Sequence, residues 1–316
     1  ALHFRVWGGS AERHKRKRRH ILIQKVFFGM AALLSAAFWA MGTVLWKRLE
    51  NRISPLGMNL AKGVIGSLYL AVISFFIKIG PIDAQSVLFL VLSGLVGIAL
   101  GDTFFFVSLK YLGARLSSLT GTLTPVAIAL SALFFLRERP SFFVWVGILL
   151  TTGGVAWLLK ERLPSDSGTI INKPLGVTYR LLSIICTAAG IILAKKGVAN
   201  APVIQATLIR LLSSVAGLFL WGCLNRQLSH CLGFFKNISL FKEVAFVVFI
   251  VVFGGFWLSL LALKYIDASV AGTLNATSPL FILPISAIML KEKISRKAVL
   301  GTTVAVAGVA LILLGG

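Results

Sequence analysis

An all-α membrane protein, with ten transmembrane helices in two inverted five-helix repeats, is the fold that three observations in this sequence predict. Of 316 residues, 57% are hydrophobic and only 13% charged, and the mean hydropathy is +0.91, far above that of a soluble domain of this length. Apolar runs of roughly 20 residues, the length a helix needs to cross about 30 Å of hydrocarbon, follow one another along nearly the whole chain. The second half then repeats the first.

The runs centre on residues 26–46, 56–77, 87–107, 116–136, 142–159, 176–194, 203–223, 244–263, 268–290 and 297–314. They are continuous and rich in Leu, Ala and Gly, without the alternation of a barrel wall, so they read as helices. Pro, Gly, Asn or charged residues mark most of the short connections. The first run follows a basic segment, yet it is too long for the apolar core of a signal peptide and ends in Trp46-Lys47-Arg48 without a clear cleavage site, so it reads as a retained span. The expected division is a basic segment at 1–24, a first repeat at 25–160, a linker at 161–174 and a second repeat at 175–316.

A shift of 154 residues aligns 109–159 with 263–313 without a gap, and 14 of the 51 pairs are identical. Among them are Lys110/Lys264, Tyr111/Tyr265, Ala114/Ala268, Pro125/Pro279, Glu138/Glu292, Ser141/Ser295, Gly147/Gly301 and Gly154/Gly308. Earlier in each half a shift of 148 pairs Ser35 with Ser183, Gly42 with Gly190, Lys47 with Lys195 and Lys62 with Arg210. Shared hydrophobicity alone does not produce this order. Five spans per half is an odd number, so the second half enters the membrane from the other side, the inverted plan of many secondary transporters.

The motifs GDTFFFVSLKYLGA at 101–114, Pro125 midway along the fourth span, LRER at 136–139 and GILLTTGGVAWLL in the fifth span recur as LALKYIDAS, Pro279, LKEK and GTTVAVAGVALILL. Over residues 25 to 315 this pattern resembles the EamA-type members of the drug/metabolite transporter superfamily. The resemblance implies ten helices, a central cavity between two repeats, and movement of small metabolites, amino acids or their analogues, often outward.

The charged echoes Arg137-Glu138-Arg139 and Lys291-Glu292-Lys293 fall where the fourth and ninth spans leave the lipid. Cations suit a helix C-terminus, the Glu can pair with them or with nearby backbone, and Ser141 and Ser295 stand where the next helix needs an N-cap. An interfacial turn is the plain reading; a gating role for either Glu is the alternative. Gly147, Thr151 and Gly154, and Gly301, Ala305 and Gly308, form small-residue stripes that favour helix packing in lipid, within the bundle or in a homodimer through spans five and ten.

Candidate solute contacts lie elsewhere. Ser117, Thr120, Thr124 and Ser131 follow one side of the fourth span beside Pro125; Ser269, Thr273, Asn275, Ser278 and Pro279 mark the ninth, with Pro284 beyond. Interrupted helices are tolerated where they line a wet cavity, and these are the expected cavity walls, with interhelical hydrogen bonding as the competing reading. Trp39 and Trp257 offer apolar or cation-binding surface, or simple packing. Charge within lipid is the sharper signal because it is expensive there. Arg180, near a span entrance, is expected to snorkel. Lys62 and Asp102 fall at similar depth and are expected to pair, with proton binding at Asp102 as the alternative. Arg210 takes the place of Lys62 in the second half, but Phe256 stands where Asp102 would be, and spans six to nine offer no acid. A free guanidinium fork suits carboxylate or phosphate, with Ser213 and Ser214 on a compatible face; a snorkelling anchor is the rival reading.

These features point to a secondary transporter or facilitator of small polar metabolites in the plasma (inner) membrane. Rivals are a flippase of a lipid-linked substrate and a passive channel. Catalysis is not expected: the spans hold no histidine and one clear carboxylate, no Cys/His pair has metal-ligand spacing, and no phosphate loop occurs, so neither metal nor cofactor is anticipated. Eight Lys/Arg between Arg5 and Lys25 place the N-terminus in the cytoplasm. That cluster reads as a topology signal, with contact to anionic membrane lipid secondary and no role in nucleic-acid binding.

Overall fold

The computed structural model describes residues 4–49, 52–77, 80–162, 172–224, 237–281 and 296–314. Helices α1 (Phe4–Leu49), α2 (Pro55–Phe76) and α3 (Ala84–Ser93) lead, through a π-helical stretch at Gly94–Leu100, into α4 (Gly101–Gly121), α5 (Thr124–Phe135) and α6 (Phe142–Arg162). The second half runs α7 (Lys173–Val198), α8 (Val203–Leu224) and α9 (Ile238–Phe249), then a π-helical stretch at Ile250–Trp257, α10 (Leu258–Tyr265), α11 (Ala268–Asn275) and α12 (Arg296–Leu314). No strand occurs among the described residues. Seven helices there are long and apolar enough to cross a membrane, and two shorter apolar ones, Leu119–Phe135 and Val299–Leu314, fall in the fourth and tenth windows. The ninth window, Pro284 included, runs beyond the described residues, as do Lys291, Glu292, Lys293 and Ser295.

Local chemistry sets the boundaries. Ser54 caps α2 by accepting from the Gly57 amide at 3.1 Å, with Pro55 in the first turn, where its missing N–H costs nothing. Asp83 caps α3 and Asn237 caps α9, 154 residues apart. The two prolines act as the sequence implies: Thr122–Leu123 breaks the chain just before Pro125, and Ala276–Thr277 just before Pro279. Helix α1 continues through the basic segment that the sequence sets apart, starting at Phe4.

One connection differs from expectation. Spans three and four are expected to separate between 107 and 116, yet α4 stays helical through that stretch. The Ser108 and Ser117 hydroxyls nonetheless lie 2.8 Å apart, whereas a straight helix would part residues nine positions apart by about 13 Å. The helix therefore bends sharply between them. In the second half the matching connection breaks outright, with Ile266 extended.

Packing follows the repeat. α2 lies on α8 and α6 on α12, each helix meeting its counterpart, and α5 packs on α11, while α3 and α4 pack on α7 and, reciprocally, α10 packs on α1. The small stripes of α6 and α12 face one another within the chain: a Cβ added at Gly154 would lie 2.6 Å from the Gly301 carbonyl oxygen, and one at Gly308 2.6 Å from the Thr151 amide. Such close backbone approach is what small residues provide in lipid.

Candidate functional site

The two π-helical stretches occupy nearly equivalent places in the halves, at the level of the intramembrane charges. A π register adds a residue to the turn and turns backbone carbonyls off the ladder; Ser35 of α1 donates to the Gly255 carbonyl at 2.8 Å, and Thr103 to that of Ala99 at 2.6 Å. Asp102 follows the first stretch directly. Its Oδ2 lies 3.3 Å from Lys62 Nζ on α2, with the Lys62 side chain 11% exposed and that of Asp102 35%. Lys62 also sits 5.1 Å from the centre of the Phe256 ring, within cation–π range. Trp39 meets the same ring edge-on at 4.8 Å and packs against Gly255. Lys62 and Trp39, singled out from sequence, thus meet at the Phe256 ring, and Asp102 pairs with that Lys62.

Asn59 joins this list although sequence reasoning passed over it. It lies three residues before Lys62 on α2, is 3% exposed, and both its amide atoms are buried without a partner among the described residues. An unpaired buried amide costs about 1–3 kcal/mol per group, so a solute or water that satisfied it would gain correspondingly. A polar amide one turn from an intramembrane lysine was the available signal.

Arg210 lies on α8 with its backbone carbonyl against Gly94 of the first π stretch. Its Nε is buried without a hydrogen-bond partner among the described residues. The hydroxyls expected to help it are engaged: Ser213 donates to the Arg210 carbonyl at 3.0 Å and Ser214 to that of Leu211 at 2.8 Å. Arg180 does not snorkel. Its Nε donates to the Ser117 carbonyl at 3.0 Å, Nη1 donates to Ser183 at 3.1 Å, and the guanidinium stacks 4.8 Å from the Phe105 ring, tying α7 to the far end of α4.

Three of the candidate side chains of spans four and nine bond elsewhere than at the ion pair. Thr120 and Thr273 donate to carbonyls one turn back, of Leu116 and Ser269, both at 2.8 Å. Asn275 donates from Nδ2 to Ser259 at 2.7 Å, leaving Oδ1 buried and unpaired. Thr124 and Ser278, half-buried, flank the two chain breaks. Trp257 lines a separate cavity of about 220 Å³ together with Ser74, Pro202, Gln205 and Leu261.

Apolar helices in series, two halves packed helix against counterpart, and charges held between them define a multi-pass membrane protein built from an internal repeat. The chain belongs to the EamA-like transporter family, which it matches at residues 27–160 and 174–314, within the drug/metabolite transporter superfamily. It is 27% identical over 174 residues to an uncharacterized transporter, YetK, of Bacillus subtilis (strain 168), a match spanning half of each chain. A solved structure titled only "Crystal structure of protein" superposes with a TM-score of 0.69 at 17% identity, covering 92% of this chain and 97% of that one. That likeness concerns the fold.

Proposed function

We propose that this membrane transporter is a secondary carrier or facilitator that exports small polar metabolites bearing a carboxylate, amino acids or related compounds, along a path between its two repeats. In this reading ten helices cross the plasma (inner) membrane, the basic N-terminus is cytoplasmic, residues 25–160 and 175–316 are the repeats joined at 161–174, and the chain performs no catalysis. Any homodimer through spans five and ten would use their outer faces, where Leu149, Trp157 and Val306 are exposed, because the small stripes are occupied within the chain.

The observation that carries the proposal is Arg210: a guanidinium inside the bundle whose Nε has no partner among the described residues, and a fork geometry that suits a solute carboxylate. Asp102 and Asn59 would receive the ammonium or amide end of such a solute. The test is counterflow of labelled amino acids and organic acids into proteoliposomes. Arg210→Gln is expected to lower kcat/KM at least roughly 30-fold and Arg210→Lys by less, since a point charge replaces a bidentate fork. Unchanged flux of every anion tested in both well-folded variants would refute the binding role. For orientation, Cys231, which lies outside the described residues, should react with an impermeant thiol reagent from outside intact cells carrying Cys186→Ser and Cys223→Ser; labelling only after lysis would invert the topology.

A further inference from the structure

One end of the bundle, where α5, α7 and α10 finish and α8 and α11 begin, is laced by three charged side chains. Arg137 closes α5 in the left-handed region, φ 56°, a conformation that costs a residue with a Cβ about 1–2 kcal/mol. The Glu138 amide then reaches back to the Ala132 carbonyl at 3.2 Å, one residue further than the long bond of a Schellman cap, so the left-handed turn folds the chain over the last helical turn. This turn aims the Glu138 carboxylate at a helix 130 residues further on: Oε1 accepts from the Ala268 amide at 2.7 Å, and Oε2 accepts from the Ser269 amide at 3.2 Å and its hydroxyl at 3.0 Å. Lys195 of α7 donates to the carbonyls of Leu263 and Ile266, both at 2.7 Å. Lys264 donates to the Ala201 carbonyl at 2.9 Å.

The two-residue connection between α10 and α11 is thereby held from both sides, a cation on the carbonyls that end one helix and an anion on the amides that begin the next, each matching the local helix dipole. Apart from the Ser269 hydroxyl the partners are backbone groups, and no salt bridge among the described residues holds the contacts, so each can be released without leaving a buried ion pair half-broken. The partly open cavity beside Trp257 borders this lacing, walled by Pro202, Gln205 and Leu261 and by the exposed Ile77. The sequence repeats the lacing residues at Lys47, Lys110 and Glu292. At the matching backbone of the first half, around Ala114, α4 remains helical and offers no free amides.

We infer that Glu138, Lys195 and Lys264 form a releasable clamp that narrows this end of the transporter, and that its release widens the solute path to the cavity beside Trp257. Glu138 is a positioning residue here, acting through the start of α11. The inference rests on the transport reading above. A carrier must open and close each end in turn, and a two-state element shifts when contacts made in only one state are removed.

The test is thiol accessibility in purified protein lacking Cys186, Cys223 and Cys231. A cysteine at Leu261, in the cavity wall, should react with an impermeant maleimide about fivefold faster or more in Glu138→Gln and in Lys195→Gln. Ser269→Ala, which deletes one contact, should give a smaller rise in the same direction and serves if either charge variant does not fold. A cysteine at Val107, the repeat-matched position, should not accelerate. Equal acceleration at both cysteines would mean general loosening, and no acceleration at Leu261→Cys in any variant would mean that nothing is clamped; either outcome overturns the inference. Labelling requires no solute, so a clamp that responds in a protein that carries no metabolite would leave the inference standing and remove the transport reading. Solute flux without any labelling response would do the reverse.

Discussion

Lys62 and Arg210 hold equivalent places in the two halves, and their surroundings are not equivalent. Lys62 has Asp102 at 3.3 Å and an aromatic face beneath it; Arg210 has Phe256 where the acid would be and an Nε without a partner among the described residues. The helix crossings differ in the same way. Where the first π stretch meets α7, Gly97 faces Gly190; at the related crossing, Gly42 of α1 faces Val251. Inverted repeats supply a scaffold that is nearly two-fold, and the Lys62 and Arg210 pair of positions is one place where the two-fold relation is broken.

The crossings give the largest expected effect. A Cβ at Gly190 would collide with the backbone of Gly97, 3.0 Å from its amide nitrogen and closer still to its Cα, and would lie 3.4 Å from the Ser93 carbonyl oxygen. Backbone cannot rotate away, so Gly190→Ala should cost about 1–3 kcal/mol as overpacking. At Gly42 the added atom would meet one methyl of Val251, which a rotamer change moves. Gly42→Ala should therefore be near neutral, because the helix propensity gained, up to about 1 kcal/mol, offsets the adjustment. Thermal unfolding in detergent decides it; equal losses in both variants would show that the two crossings are equally tight.

The charges come next. Lys62→Gln leaves Asp102 without its partner and should lower stability, by no more than about 1 kcal/mol because Asp102 is a third exposed and solvent screens the pair. Arg210→Gln should leave stability unchanged or raise it by about 1 kcal/mol, since it removes an unpaired buried donor, while lowering transport. In a double-mutant cycle, Lys62→Gln with Asp102→Asn should recover part of the single-variant losses. Equal destabilisation by Lys62→Gln and Arg210→Gln would make Arg210 a structural anchor like Arg180.

Much of this was legible in the sequence for stated reasons. Span length follows from bilayer thickness, the repeat from matched residues, the breaks from Pro125 and Pro279, and the Lys62–Asp102 contact from equal depth in adjacent spans. Other features carry no local code. A π register is set by packing against a neighbouring helix, so neither Gly94–Leu100 nor Ile250–Trp257 announces it. The target of Glu138 is 130 residues away, and nothing in LRERP names Ala268 and Ser269. Arg180 reads as a snorkelling residue because its distance from the span entrance suggests it, but the Ser117 carbonyl released at the α4 bend is a better partner than the interface. Thr120 and Thr273 read as cavity-lining from their helical spacing, although a threonine hydroxyl can equally turn back onto its own helix.

The smallest effect tests the asymmetry at the helix caps. Asp83 and Asn237, 154 residues apart, do the same work: the Asp83 carboxylate accepts from the Ser86 amide at 2.8 Å, and the Asn237 side-chain oxygen accepts from the Ser239 and Leu240 amides at 3.0 and 3.1 Å. Only Asp83 titrates. The bond from the Ser86 backbone N–H, seconded by the Ser86 side chain, holds its carboxyl below the usual carboxylate range. A lowered folded-state pKa means that the stabilisation is fully present above the unfolded value, about 3.9, and disappears as pH falls through the folded value. Asp83→Asn keeps the acceptor and removes the titration. The difference in unfolding temperature between the wild-type protein and Asp83→Asn should therefore be constant from pH 7 down to about pH 5 and move against the wild type below about pH 4, with every other carboxylate cancelling between the two proteins. Asn237→Asp should transfer the same acid dependence to the second half. If wild type and Asp83→Asn follow parallel curves through the acid range, the cap at α3 contributes through shape alone and the two halves are alike at this point.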